Sequence, residues 1–101
     1  MAHRKRKRRG KRGRLPTPVY IEHIPDVDKF NPSPPGDKPP MVLELAELEV
    51  LRLVDLEGLT QEEAGRQMGI SRGTIWRILH RAREKVVKAI TEGRAIDISR
   101  P

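Results

Sequence analysis

Residues 59–83 constrain the fold of this chain most, because their caps, turn residue and apolar spacing all fit one geometry. Thr60 and Glu63 have the spacing of a capping box, which begins a helix. Gly69 can adopt the positive φ that ends a helix in a tight turn. Ser71 can cap the helix that follows. The pattern predicts two helices that meet at a tight turn.

Small and apolar residues around this turn predict how the two helices pack. Ala64 and Gly65 are small where the helices must approach closely, and larger apolar residues would share a core between them: Met68, Ile70, Ile75 and Ile78. This arrangement is that of a helix-turn-helix, whose second helix enters a DNA major groove. A generic helical hairpin with solvated charges is the weaker interpretation.

The outer face of the second helix, with its cap, supplies the candidate DNA-binding residues. They are Ser71, Arg72, Gly73, Thr74, Trp76, Arg77, His80 and Arg81. Among them we expect Arg72 and Arg77 to read bases directly, because both lie near the helix start on the face that the apolar stripe leaves free. A bidentate contact between arginine and guanine is the commonest specific contact in the major groove.

Hydrophobic periodicity and breakers predict three helices in the proline-free part of the chain. The first covers about residues 44–57 and stops at Gly58, the second covers about 61–68, and the third covers about 72–92. The predicted fold class is all-α, a three-helix helix-turn-helix domain with a disordered basic N-terminal arm and a Pro-rich extended linker. The predicted boundaries are 1–14 for the arm, 15–40 for the linker, 41–93 for the domain and 94–101 for a C-terminal extension.

The Pro-rich stretch contains eight of the nine prolines, which favours an extended, semi-rigid connector. Its segment 19–24 is a short extended candidate that could pair with residues 95–99 as a small ribbon. The third helix would be about 30 Å long, which is longer than a three-helix core needs. Its distal half, 86–90, must therefore be covered either by the Pro-rich segment or by a second subunit in a homodimer.

Basic residues are concentrated at the start of the chain. Nine of them form the candidate phosphate-contacting arm: Arg4, Lys5, Arg6, Lys7, Arg8, Arg9, Lys11, Arg12 and Arg14. Removing these charges from the formal net charge of +7 leaves the rest of the chain at −2. A nonspecific phosphate clamp is the favoured interpretation. A minor-groove contact through residues 12–14 and a solvated tail are the alternatives.

Charge is also divided between the predicted helices. Residues 44–57 have a net charge of −4 and residues 72–92 a net charge of +4. This is the pattern expected if one helix faces away from phosphate and the other toward it. Glu47 and Glu49 would point to different faces of the first helix, which argues against a paired-carboxylate catalytic site. Solvated charge, or ion pairs with Arg52 or the third helix, is the favoured interpretation.

Composition argues against several other classes of function. The chain has no cysteine, its three histidines lie far apart, and no Gly-rich loop precedes a helix with Lys-Ser/Thr. We expect no catalytic residues, no metal site and no cofactor, and hence no enzyme. No apolar run is long enough for a membrane span, and no apolar stretch follows the basic start as in a secretory signal. A cytoplasmic, nucleoid-associated protein is expected.

The motifs resemble those of known DNA-binding families. The sequence Glu-x-Glu-Val-Leu-Arg-Leu at 47–53, Gln-Glu-Glu-Ala at 61–64 and Met-Gly-Ile-Ser-Arg at 68–72 resemble the fourth region of bacterial sigma factors. They are also similar to the DNA-binding domains of LuxR-type response regulators. The resemblance implies a sigma-region-four-like fold and DNA binding.

A closer resemblance is to a family of short prokaryotic proteins known only as predicted DNA-binding proteins. It covers nearly the whole chain: a basic, Pro-rich start, Ile-x-x-Ile-Pro at 21–25, Phe-x-Pro at 30–32, the helix-turn-helix, and Ala82, Arg83 and Lys85 in the continuation. Gly65 departs from the Ala-Ala pair typical of that family. Trp76 stands where smaller residues are usual.

Two classes of function remain open at this stage. The first is a DNA-binding transcription regulator, with double-stranded DNA, a second copy of the chain and RNA polymerase as candidate partners. The second is an RNA-binding or ribosome-associated basic protein, in which the arm dominates and the helical domain docks onto another protein. The acidic first helix and the well-capped helical pair favour the first class.

Overall fold

The structure, a computed structural model, describes residues 19–99 and the backbone of residues 6–8. Its elements in chain order are β1 (Arg6–Arg8), β2 (Val19–Ile21), β3 (Lys29–Phe30), β4 (Met41–Glu44), α1 (Leu45–Leu51), a π-helical segment (Arg52–Leu56), α2 (Gln61–Met68), α3 (Arg72–Glu92) and β5 (Ile96–Ser99).

The predicted bounds of α2 and α3 are confirmed, because local caps determine where these helices begin and end. The Thr60 N–H donates to Glu63 Oε1 at 2.8 Å and the Glu63 N–H donates to Thr60 Oγ1 at 3.1 Å, which completes the capping box. Gly69 ends α2 with φ of 74°. Ser71 Oγ then accepts the Thr74 N–H at 3.1 Å and begins α3.

The first predicted helix is present but is not α-helical throughout. It is α-helical from Leu45 to Leu51 and continues as a five-residue π-helix. The Glu57 N–H donates to the Arg52 carbonyl oxygen at 2.8 Å, which is the wider spacing of a π-helix. Gly58, with φ of 79°, follows as the predicted stop.

The all-α prediction is wrong, because a three-stranded mixed sheet packs with the helices. Its order is β3-β5-β4, with β5 antiparallel to β3 and parallel to β4. The predicted pairing of segments 19–24 and 95–99 is also wrong. β2 pairs instead with β1, with Arg8 opposite Val19. Strands of two to four residues carry too short an alternation to specify a partner, and their pairing depends on tertiary packing.

The Pro-rich segment is not a passive linker. Val19 and Ile21 are fully buried, and Ile24 packs partly against the same core. Proline prevents helix formation in this region but does not prevent extended residues from burying alternate side chains. The hydrophobic core therefore combines residues from the Pro-rich segment, the sheet and all three helices: Val19, Ile21, Leu43, Leu45, Ala46, Val50, Leu53, Ala64, Met68, Ile75, Ile78, Leu79, Ala82 and Ile98.

The distal half of α3 is only partly covered by this chain. Ala89 is buried, and a Cβ added at Gly36 would lie 2.4 Å from the carbonyl oxygen of Gly93. The Pro-rich segment thus passes closely over the C-terminal end of α3, which is one of the two expected solutions. Val87 and Ile90 of the same half remain exposed.

Candidate nucleic-acid interface

Gly65 allows α2 to lie close to the start of α3. The Ile70 N–H donates to the Gly65 carbonyl oxygen at 3.0 Å. A Cβ added at Gly65 would lie 2.6 Å from the Ile70 carbonyl oxygen, closer than real Cβ atoms come to other heavy atoms. The absence of a side chain at this position therefore sets how the two helices meet.

Tyr20 of β2 packs against the turn between α2 and α3. A Cβ added at Gly69 would lie 3.0 Å from the Tyr20 ring, so the aromatic side chain covers the turn residue. In the two-stranded ribbon, Lys7 of β1 is the Cα partner of Tyr20. The ribbon therefore brings the backbone of residues 6–8 of the basic arm to the strand that covers the turn.

The remaining arm residues lie outside the described part of the chain. These are Arg4, Lys5, Arg9, Lys11, Arg12 and Arg14. For Arg6, Lys7 and Arg8 only the backbone is described. The interpretations of the arm as a phosphate clamp, a minor-groove contact or a solvated tail all remain predictions.

The outer face of α3 consists of the cap and the first three turns: Ser71, Arg72, Gly73, Thr74, Trp76, Arg77 and His80. All are exposed except Thr74, which is half-buried. Ser71 Oγ and Thr74 Oγ1 are hydrogen-bonded at 2.9 Å, and Arg77 Nη2 donates to Thr74 Oγ1 at 3.2 Å. The structure thus brings seven of the eight predicted residues together on one accessible surface.

Arg81, the eighth predicted residue, is oriented toward α1. Its Nε donates to Glu47 Oε2 at 2.7 Å, and Lys85 Nζ lies 2.9 Å from Glu47 Oε1. Burial would raise the pKa of the Glu47 carboxyl, but hydrogen bonds from Arg81, Lys85 and the Glu44 N–H outweigh burial and lower it. Glu47 is therefore a buried anion held by two cations of α3.

A second carboxylate, that of Asp55, neutralises another cation of α3. Arg83 donates through Nη2 and Nε to the two carboxylate oxygens of Asp55, at 2.7 and 3.1 Å. These hydrogen bonds from Arg83 lower the pKa of Asp55. The acidic first helix and the basic third helix thus pair their charges across their shared interface.

This pairing stops before the outer face of α3. Among the described residues, neither Arg72 nor Arg77 forms an ion pair with a carboxylate, whereas Arg81, Arg83 and Lys85 all do. Arg72 and Arg77 therefore leave positive charge without a carboxylate partner at the N-terminal half of α3, on the same surface as Trp76, and Lys88 is a further cation of the helix with no ion pair among the described residues.

Glu49 is the other buried carboxylate of α1. It accepts two hydrogen bonds from Arg52, at 3.1 and 2.9 Å, and one from the backbone N–H of Glu22, at 3.1 Å. The hydrogen bond to Glu49 raises the pKa of Arg52. The ion-pair interpretation of Glu47 and Glu49 is confirmed, and the solvated one is wrong, because both side chains are almost completely buried.

Trp76 and His80 form an exposed aromatic pair on the outer face. Their ring centroids lie 4.0 Å apart with the planes tilted by 33°, and His80 Nδ1 lies 3.3 Å from the Trp76 carbonyl oxygen. Half of the Trp76 surface remains accessible. The pair places a large, partly restrained apolar ring beside the free arginines.

Two other features are absent from the residues that the structure describes. No group of three or more His, Cys, Asp or Glu residues there could hold a metal ion. No helix of that part is both long and apolar enough to cross a membrane.

Sequence reasoning missed two features of this region. The sequence around Tyr20 gives no sign that this side chain covers the turn at Gly69. An ion pair of Glu47 with the third helix was expected, but its partner Arg81 was assigned to the DNA-binding face instead. The opposite net charges of the two helices carried the available signal, but it was interpreted as an orientation toward phosphate.

Comparison with known proteins establishes the family. Residues 4–100 match the family described as "Protein of unknown function DUF134", and the chain belongs to it. The UPF0251 protein of Pyrococcus furiosus is 52% identical over 90 residues, which cover 86% of this chain and 83% of the relative. That of Archaeoglobus fulgidus is 45% identical over 94 residues, covering 92% and 90%.

The family extends to bacteria. The UPF0251 protein of Halothermothrix orenii is 45% identical over 85 residues, which cover 82% of this chain and 63% of the relative. No solved structure matches the chain. The expected membership of a family of short prokaryotic proteins is confirmed.

Proposed function

We propose that this protein binds double-stranded DNA through a helix-turn-helix formed by α2 and α3, and that it acts as a transcription regulator. In this proposal α3 enters the major groove and its outer face meets the base edges. The sigma-region-four-like nature of the helical part, contact with RNA polymerase and association with the nucleoid belong to the same proposal.

One observation carries the proposal: the division of charge along α3. Glu47 and Asp55 neutralise cations of its middle part, whereas Arg72 and Arg77 have no carboxylate partner among the described residues. Arg72 and Arg77 are both exposed, so their guanidinium groups are accessible to a ligand. Free arginines there suit guanine edges and phosphate oxygens.

The geometry around the turn supports the same proposal. Thr60, Gly69 and Ser71 fix the ends of the two helices, and the close approach at Gly65 fixes how they meet. A rigid helix pair presents the outer face of α3 in one orientation, which direct readout of bases requires. The β1–β2 ribbon anchors the basic arm at Tyr20, on the turn, so the arm can contact phosphates near the site.

Filter binding at matched salt concentration tests the proposal against its alternative, an RNA-binding or ribosome-associated protein. We expect the full chain to bind duplex DNA from a randomised pool with a sequence preference that can be selected. Its binding to structured RNA of equal length should be independent of sequence and sensitive to salt. Tighter binding to structured RNA, with no sequence preference on duplex DNA, would overturn the proposal in favour of the alternative.

A further inference from the structure

We propose that Trp76 makes sequence-specific contact with the C5-methyl group of a thymine, with His80 as its support. The inference rests on the proposed DNA-binding function and deepens it, because it assigns one base preference to one side chain. The thymine methyl is the apolar group that the major groove displays, and apolar side chains recognise it.

Exposure of Trp76 is the first argument. The chain has one tryptophan, and this residue is 50% exposed although the adjacent Ile75 is completely buried. A half-exposed indole contributes little to the core. Tryptophan and arginine are both enriched among the residues that dominate the affinity of an interface. Trp76 lies between Arg72 and Arg77 in sequence and shares their face of α3.

Restraint of the ring is the second argument. The His80 ring lies 4.0 Å from the indole, measured between centroids, and so limits the rotamers that Trp76 can adopt. A side chain that is already ordered loses less conformational entropy on binding than a free one. His80 is therefore assigned a positioning role, in which it holds the indole ready for contact.

Open space beside the ring is the third argument. A Cβ added at Gly73 would meet nothing within 4 Å, so the backbone one turn before Trp76 is uncovered. Gly73 lies three residues before Trp76, on the adjoining part of the outer face. A methyl group and the edge of its base can approach the helix at this gap between Arg72 and Trp76.

Helix geometry predicts where the thymine lies. Four residues of α-helix rise about 6 Å, and base pairs are stacked about 3.4 Å apart. Arg72 and Trp76 lie one helical turn apart, so we expect them to contact neighbouring base pairs. A selected motif should contain a T·A pair close to a G·C pair.

Replacement of single thymines tests the inference, because deoxyuridine lacks only the methyl group. After selection of the preferred duplex, each thymine of the motif is replaced in turn and binding is measured by fluorescence anisotropy. We expect one replacement to weaken binding of the unaltered protein about fourfold, as for loss of one buried methyl-sized group. The same replacement should have little effect on Trp76→Ala.

Two further variants separate contact from support. The uracil sensitivity is the loss of affinity when the contacted thymine is replaced by deoxyuridine. His80→Ala should retain part of it, since the indole remains but is less restrained. Gly73→Ala should reduce the sensitivity by filling the gap beside the ring. A substitution on the same helix but outside the outer face, Lys88→Ala, should leave the sensitivity unchanged.

Photocrosslinking gives a readout that does not depend on affinity. Bromine in 5-bromodeoxyuridine takes the place of the thymine methyl, and irradiation of the complex should attach the DNA to Trp76, as located by mass spectrometry. A crosslink to another residue, or uracil sensitivity that persists in Trp76→Ala, would overturn the inference.

The outcomes also separate this inference from the proposed function. Sequence-specific binding that no uracil replacement weakens would refute the role of Trp76 and leave DNA recognition intact. A complete lack of sequence-specific duplex binding would refute both. Both proposals would be supported if the protein binds a specific sequence, if replacement of one thymine by uracil weakens that binding, and if this effect is lost in Trp76→Ala.

Discussion

Glu47 of α1 and Arg81 of α3 form a partly buried ion pair, with 2.7 Å between Oε2 and Nε. The Glu47 side chain is fully buried, whereas 37% of the Arg81 side chain is accessible. The pair joins the middle of α3 to α1 across 34 positions of sequence. Because the carboxylate also binds Lys85, one anion of α1 contacts two successive turns of α3.

The first prediction concerns this anion. Glu47→Gln should lower the free energy of unfolding by about 3 kcal/mol, at the lower end for a broken buried ion pair, because Arg81 and Lys85 can turn toward solvent. Urea unfolding at neutral pH measures the change. Asp55→Asn is the matched control. It breaks an exposed pair and should cost less than about 1 kcal/mol.

The second prediction gives the pH dependence of the same interaction. Since the folded protein lowers the pKa of Glu47 from its ordinary value of 4.5, the contribution to stability is complete above that value. It is lost as the pH falls through the lower pKa of the folded state. The difference in unfolding free energy between the unaltered chain and Glu47→Gln should therefore shrink below about pH 4.5. A difference that is constant from pH 7 to pH 3 would contradict this.

The third prediction concerns the turn. Gly65→Ala places a Cβ against the Ile70 carbonyl oxygen and should destabilise the protein by about 1–3 kcal/mol, because backbone must move. Gly73→Ala places a Cβ in open space within a helix and should be neutral or stabilising by up to about 1 kcal/mol. Thermal unfolding compares the two. Equal effects would show that the close approach at Gly65 is not restrictive.

The fourth prediction assigns base readout to arginine. Arg77→Ala should flatten the base preference in a randomised-site selection, because one bidentate contact with guanine gives about 1–3 kcal/mol of discrimination. Arg83→Ala removes an equal charge from the same helix, but one that Asp55 already neutralises. It should leave the selected motif unchanged. The assignment fails if the motif selected by Arg77→Ala equals that of the unaltered protein.

The fifth prediction separates the arm from the helices. Deletion of residues 4–14 should weaken binding to every duplex alike and leave the preferred sequence intact. Each lost phosphate contact should lower the log–log salt slope by roughly 0.9, so loss of five contacts would lower it by about four to five units. A deletion that instead removes A·T preference beside the core motif would indicate readout of the minor groove. Because the deletion removes β1, a melting curve of the shortened chain is the control for folding.

Local chemistry explains why α2 and α3 could be predicted to the residue. Thr60, Gly69 and Ser71 each act through backbone atoms one to four positions away, so their effect is readable in a short stretch of sequence. The outer face followed from the same periodicity. Helix caps and apolar spacing therefore determined most of the candidate site.

Long-range contacts explain what could not be predicted. Burial of Glu47 requires Arg81 and Lys85, which lie 34 and 38 residues further on. The strand at residues 29–30 is too short to show alternation, and its partner β5 is far away in sequence. Periodicity in the sequence does not identify the distant partner of a charged residue on a helix, nor that of a short extended segment.

The order of the sheet has a consequence for synthesis of the chain. β5 is the last strand in sequence but the central one in space, and in the described sheet β3 and β4 each pair only with it. While the chain emerges from the ribosome, the helices can form from local contacts. The three-stranded sheet cannot form until residues 96–99 have emerged. Until then β3 and β4 expose unpaired backbone groups. A chain that lacks these four residues could keep its helices and the β1–β2 ribbon, but β3 and β4 would have no strand to pair with in this sheet.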